Sequence, residues 1–352
     1  METKLFTLAP LPRLSDVEII SAIKNCLPQL TNRRVVIVAP DHTRPFNKFE
    51  HYLLEIAQEL YGRDNVDLAI ATGMHRQSTW TEVAQKWGNG IRHCEIFQNN
   101  PSSPHGLMDR LRDENYFIIA YSNPLPHNHM GMSGGLKLLL PGLAHIEDAN
   151  LFHCMNTDAA KQWQNKLASC VDFWIGCAYD SFHYVIDYCF AERKHYFDSW
   201  VDACKRYYKI QLPIEMPDAV LLEPTVKNAD FILAMNSLLV AKKEPIVKHG
   251  GVVAIHAPLV DGAGVHYLFQ KMNGQDDIFY DYIFSQEMRN CEFHFINDRV
   301  PQRALQRFFK NRYVVMHKDE DSFFHCMDCL FEGSATIHHY IAPEIMIGER
   351  DG

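Results

Sequence analysis

Apolar and polar positions along the first part of the chain switch between two periods. Val35-Val-Ile-Val-Ala39 and Val66 to Ala71 are short apolar runs of the kind found in strands buried on both faces. Tyr116 to Tyr121 is a third such run. Between them the spacing becomes helical. Ser15-Asp-Val-Glu18 is a capping box that opens a helix to about Leu27. Lys48 to Leu60 and Thr79 to Trp87 carry apolar residues on one helical face. Strand and helix in alternation predict a parallel sheet flanked by helices.

The stretch from Thr157 to about Ile210 is rich in aromatics, and His183 to Tyr208 contains neither Gly nor Pro, so it reads as helical. Beyond Pro213 and Pro217 the alternation restarts, with strands predicted at Ala219 to Leu222, Phe231 to Met235, Gly251 to Ile255, Tyr313 to Met316 and Thr336 to Ile341. The expected architecture is two α/β domains with mainly parallel sheets and an active site in the cleft between them. Residues 1–212 form the N-terminal cofactor-binding domain, including the helical segment at about 157–210, and residues 213–352 form the C-terminal domain.

The chain has 352 residues, 47% of them hydrophobic and 22% charged, enough for two cores in a globular protein. A net charge of −9 gives no reason to expect nucleic acid or an anionic membrane as partner. The N-terminal Met-Glu-Thr-Lys-Leu-Phe lacks the apolar core of a signal peptide, and the ten cysteines mostly sit in apolar runs. They read as reduced, buried thiols of a cytoplasmic protein. Cys326 and Cys329 have Cys-x-x-Cys spacing, but no second ligand pair of similar spacing is evident, so Phe324 to Leu330 reads as an amphipathic helix.

In a parallel α/β sheet, ligands bind beyond the carboxyl ends of the strands. Three polar clusters fall there: Asp41-His-Thr-Arg44 after the first strand, Thr72-Gly-Met-His75-Arg76 after the second, and Ser122 to His129 after the third. The last leads into Gly131, Gly134 and Gly135, with Ser133 among them and Lys137 just beyond. Glycines let a ligand approach the backbone, and a glycine-rich turn followed by a lysine commonly holds an anion. The spacing is not that of a Walker A loop. On these residues alone two readings stay open, a site for a phosphate-bearing cofactor and a tight turn with a solvated lysine. His75, His127, His129 and His153, several histidines on one rim, point toward metal binding or proton transfer.

The offsets His127-x9-Lys137-x15-His153, with Met132-Ser-Gly-Gly-Leu-Lys137 and Leu140-Pro-Gly142 between them, resemble the signature of the nickel-pincer lactate racemase family. Asp41-His-Thr-Arg44-Pro45 and Ala71-Thr-Gly-Met-His75-Arg76 are similar to two further motifs of that family, in order. The resemblance covers roughly residues 30–160. The chain is shorter than typical members, chiefly between His75 and His127.

The resemblance implies a 2-hydroxyacid racemase or epimerase whose cofactor is nickel in a pyridinium-type pincer nucleotide linked through a thioamide to Lys137. It further implies His153 as the protein ligand to nickel, and Ser133, Gly134, Gly135, Asp41 and Thr43 as positions contacting the cofactor. His75 and His127 are the implied acid/base pair and Arg44 the carboxylate grip. Lys242 and Lys243 are the second-domain candidates for substrate binding. Hydride abstraction and return through a 2-keto acid avoids the carbanion that the carboxylate disfavours. Expected partners are a small 2-hydroxy acid and the proteins that assemble the cofactor. The alternatives are a cofactor-binding paralogue without activity and a metallohydrolase with a His-ligated ion.

Overall fold

Twelve strands of the described residues form two six-stranded sheets: β1 (Glu2–Phe6), β2 (Val35–Pro40), β3 (Val66–Ala71), β4 (Ile96–Gln98), β5 (Phe117–Ser122), β6 (Phe173–Tyr179), β7 (Val185–Ala191), β8 (Ala219–Glu223), β9 (Val252–His256), β10 (Glu292–Ile296), β11 (Val314–His317) and β12 (Thr336–Ile341). The structure, a computed structural model, describes residues 1–30, 33–100, 107, 111, 116–127, 131–155, 157–242, 244–262, 290–309 and 314–350. The chain divides into two compact units, both α/β with mainly parallel sheets as the alternation predicts.

The N-terminal unit comprises Pro10–Leu125 and His129–Cys204. Its sheet runs in the order β4-β3-β2-β5-β6-β7, parallel throughout except for the edge pair β6/β7. Alternate residues of β2 serve opposite layers. Val35, Ile37 and Ala39 pack with Ile19 and Ile23, Phe49 and Leu53, and Val83 and Trp87 of the helices Asp16–Cys26, Lys48–Tyr61 and Trp80–Trp87. Val36 and Val38 face Leu136, Leu138, Leu139 and Phe197 on the other side. Burial on both faces explains why the strand is apolar at every position. The capping boxes at Ser15/Glu18 and Thr79/Glu82 set where the first and third of these helices begin.

The C-terminal unit comprises Met1–Ala9, Pro126–Asn128 and Lys205–Gly352. Its sheet runs β1-β12-β8-β9-β10-β11, all parallel. Leu221, Ala254 and Ile337 pack beneath Phe323 and Met327 of the helix Glu320–Leu330. Among the described residues no helix is long and apolar enough to cross a membrane.

Four local expectations are corrected. The segment 157–210 is not continuously helical: the helices Thr157–Lys166 and Lys194–Ala203 flank β6 and β7. The reversal between those strands uses no glycine or proline. The Asp180 carboxylate accepts hydrogen bonds from the backbone N–H of Phe182 (2.9 Å) and Tyr184 (3.0 Å), while His183 takes φ 69°. Phe231 to Met235 is not a strand, because Asp230 caps a short helix by accepting from the N–H of Leu233 at 2.8 Å. β10 is a strand where none was predicted. Finally, β1 precedes the N-terminal unit in sequence yet pairs with β12 of the C-terminal sheet. The strand predicted at Tyr313 to Met316 forms as Val314–His317, and Tyr313 itself lies outside the described residues.

Candidate functional site

Because β2, β3 and β5 are parallel neighbours, their carboxyl ends open on one edge of the N-terminal sheet. Asp41 to Arg44, Thr72 to His75 and Asn123 follow directly. Gly73, at φ 57°, allows the turn after β3, and the N–H of His75 closes it on the carbonyl of Thr72 at 2.9 Å.

This turn brings His75 to Asp41. The Asp41 Oδ2 and His75 Nδ1 lie 2.7 Å apart. Asp41 Oδ1 accepts from the Thr43 hydroxyl at 2.6 Å and from the Thr43 backbone N–H at 3.1 Å. Burial, the largest influence, pushes the Asp41 carboxyl up, but the charge of His75 and its hydrogen bond, with help from Thr43, together hold it well below the usual carboxylate range. An ionised carboxylate at Nδ1 fixes that nitrogen as the donor, so the lone pair of a neutral His75 ring is on Nε2. That is the arrangement of a general base oriented by a carboxylate. Arg44 is half-buried beside the pair, its Nη1 donating to the Thr43 hydroxyl at 3.1 Å.

The lysine turn is built on the same unit. Gly134 and Gly135 adopt φ 102° and 56°, and Gly135–Leu138 forms a short 3-10 helix with Lys137 half-buried. The N–H of Gly135 donates to the Ser122 hydroxyl at 3.0 Å, which ties the turn to the end of β5. Ser133 is buried, and its hydroxyl accepts from the N–H of Leu125 at 3.2 Å. The Lys137 carbonyl accepts from the N–H of Gly142 at 3.0 Å, and the Gly142 carbonyl accepts from the N–H of Gly73 at 2.9 Å. Two backbone hydrogen bonds thus link the turn carrying Lys137 to the turn carrying His75. Gly142 is required here: a Cβ on it would stand 2.1 Å from the Leu138 carbonyl oxygen.

His153 sits in the last turn of the helix Ile146–Cys154, half-buried, with Nδ1 2.6 Å from the carbonyl oxygen of Ala149. A carbonyl only accepts, so Nδ1 carries the proton and Nε2 the lone pair, the state in which imidazole ligates a metal. His127 is half-buried on the two-residue strand Pro126–His127, a segment of the C-terminal unit. Lys242 is exposed at the end of the 3-10 helix Met235–Ala241, also in that unit. His129 and Lys243 lie outside the described residues.

The sequence reading missed a buried pair beneath the rim. Lys86 Nζ donates to the Asp41 carbonyl at 3.1 Å and stands 3.8 Å from Glu50 Oε1. Burial pushes Glu50 up to about 7 and Lys86 down. A signal existed: both lie on the apolar stripe of their helices, Lys86 beside Val83 and Trp87, Glu50 beside Leu53 and Leu54. Arg76, by contrast, is engaged by Glu82 in a two-pronged ion pair of 2.7 and 2.9 Å.

The chain is similar to known proteins in sequence and in fold. Residues 21–164 match the family described as the lactate racemase N-terminal domain. The chain is 23% identical over 335 residues to the lactate racemase of Thermoanaerobacterium thermosaccharolyticum, covering 84% of this chain and 76% of that protein. It is 28% identical over 126 residues to the lactate racemase of Lactiplantibacillus plantarum, covering 31% of this chain and 30% of that one. In fold it is similar to the lactate racemase apoprotein of T. thermosaccharolyticum, with a TM-score of 0.69 at 17% identity over 94% of this chain and 93% of that one. It is similar also to a crystal structure of a Thermotoga maritima protein, with a TM-score of 0.71 at 13% identity over 96% of this chain and 99% of that one. The matched domain contains the Asp41, His75, Lys137 and His153 motifs, and the similarity to one lactate racemase runs along most of both chains.

Proposed function

We propose that this protein racemises or epimerises a 2-hydroxy acid, using a nickel-pincer nucleotide held by Lys137. The observation that carries the reading is the Asp41–His75 pair, hydrogen-bonded at 2.7 Å and joined through Gly73 and Gly142 to the lysine turn. The residues fit the cofactor. Gly134 and Gly135, at φ 102° and 56°, shape the turn that carries Lys137 half-buried, and the hydrogen bond of His153 Nδ1 to the Ala149 carbonyl puts the ring's lone pair on Nε2. Lys137 would anchor the nucleotide and His153 would ligate nickel, for which imidazole is a suitable donor. When bound, the group supplies an acceptor and donor for the α-hydride, so that the substrate passes through a 2-keto acid.

The chain's own residues supply placement and proton transfer. His75 takes the hydroxyl proton on Nε2, while Asp41 stabilises the resulting imidazolium. His127 has the same duty for the other enantiomer, whose hydroxyl occupies a different position. Arg44 grips the carboxylate with its planar guanidinium, pre-oriented by Thr43. Lys242 and Lys243 are the candidates for contacts to the rest of the substrate. Maturation requires the proteins that assemble the cofactor.

The test uses protein co-produced with those proteins and a panel of 2-hydroxy acids carrying deuterium at the α-carbon. Inversion with the deuterium retained is the expected result. Washout of the deuterium into solvent would overturn hydride transfer. A Lys137 adduct without inversion of any panel member would favour the non-catalytic paralogue.

A further inference from the structure

On spacing alone, Cys326 and Cys329 lack the second ligand pair that a zinc site needs. The fold brings imidazoles to Cys326 from two strands. His294 lies on β10 and His317 ends β11, its parallel neighbour. Cys326 lies on the helix Glu320–Leu330, whose Phe323 packs edge-on against both rings, at 6.2 Å from His294 and 5.5 Å from His317. One potential ligand atom from each of His294, His317 and Cys326 lies within 4.8 Å of the others. Both histidines are buried and the cysteine is half-buried.

The two rings meet through His294 Nδ1 and His317 Nε2, 2.9 Å apart. Neutral imidazoles can share one proton across such a contact. That leaves His294 Nε2, which is buried without a hydrogen-bond partner. The nearest acid is Glu292, whose carboxylate is 3.6 Å from it, beyond hydrogen-bond range but on an exposed, adjustable side chain. A buried ring nitrogen in this state bears the full cost of its lost hydration, and calls for an explanation.

We propose that His294, His317 and Cys326 bind a divalent cation of the zinc class, through Nδ1, Nε2 and Sγ respectively, with solvent in the fourth position. Two imidazoles and a thiolate select borderline-soft ions over magnesium or calcium. Tetrahedral ligation at the usual zinc–nitrogen distance sets two ring nitrogens roughly 3.3 Å apart, so the pair needs to open by only a few tenths of an ångström. His294 Nε2 then carries the proton and faces Glu292, the carboxylate–histidine–metal pattern that orients a ligand ring. The ion would fasten β10 and β11 to the helix that covers them.

The experiment uses the full chain as Lys137→Ala, so that cofactor-borne nickel does not contribute. The protein is stripped with a chelator and titrated with zinc or cobalt. We expect stoichiometric zinc by elemental analysis, a higher unfolding temperature with zinc, and a sulfur-to-cobalt charge-transfer band. Cys326→Ser should lose all three and Cys329→Ser should keep them. The chelator-treated Cys326→Ser chain should unfold at the temperature of its chelator-treated parent. Absence of stoichiometric metal in the parent, or zinc and band surviving in Cys326→Ser, overturns the proposal. If Cys326→Ser folds poorly, His317→Gln carries the same expectation for zinc, and full retention of zinc there overturns it equally.

Discussion

His75 meets Asp41 through Nδ1, 2.7 Å from the carboxylate Oδ2, and this contact puts the lone pair of the neutral ring on Nε2. Asp41→Asn keeps the shape but removes the charge, and lets the ring adopt the other tautomer. The expected outcome is a fall in kcat of about 10²–10⁴, the usual worth of a positioned acid/base group, with circular dichroism unchanged. Chiral chromatography of the product from each enantiomer measures it, and near-normal turnover would remove His75 from the proton-transfer role.

Lys137 is half-buried between two left-handed glycines and the Gly142 contact. A covalent nucleotide there should appear as added mass on the intact protein matured with the assembly proteins. Lys137→Ala should abolish the adduct. Lys137→Arg should do the same, because the linkage needs a primary amine. An adduct that survives either change lies elsewhere on the chain.

Gly142→Ala would place a Cβ 2.1 Å from the Leu138 carbonyl oxygen and 2.9 Å from the Ala71 Cβ, neither of which can swing aside. Such overpacking costs about 1–3 kcal/mol. Denaturant titration should show that loss. Activity should fall by more than stability explains, because the hydrogen bond from Gly73 N–H to the Gly142 carbonyl joins the two halves of the rim.

The buried acid at Glu50 gives stability an unusual pH dependence. Its carboxyl is raised by burial from 4.5 to about 7, so the folded chain holds a proton that the unfolded chain releases earlier. Its contribution is full below the unfolded value of 4.5 and is lost as pH rises through about 7. Asp41 runs the other way: its contribution is present above 3.8 and lost as pH falls through its depressed folded value. Glu50→Gln should therefore flatten the decline in unfolding free energy between pH 4.5 and 7, read from denaturant midpoints, and an unchanged slope would place the proton elsewhere.

The strand cores and the rim were legible because burial on both faces writes an unbroken apolar run, and because a parallel sheet sends every such run to the same edge. Asp41, His75 and Lys137 could be singled out from that logic and from motif spacing. What was illegible depended either on single polar side chains that override the local pattern or on partners distant in sequence. β6 and β7 were hidden because Asp180 builds their reversal without glycine or proline. The Phe231–Ala234 helix was hidden because one aspartate cap outweighs an apolar run. Cys326 looked unpartnered because its histidines arrive from β10 and β11, and spacing within one segment carries no trace of a neighbouring strand.

The pairing of β1 with β12 also bears on how the chain is made. Glu2–Phe6 is synthesised long before Thr336–Ile341, so the backbone of β1 must wait for its partner until every other strand of both sheets has left the ribosome. The N-terminal sheet has all its strands by Ala191 and can close during translation, whereas the C-terminal sheet can take in β1 only once β12 has emerged. The waiting strand is suited to that delay: it alternates Glu2 and Lys4 into a short edge, and charges of this kind discourage an unpaired strand from adding to its neighbours.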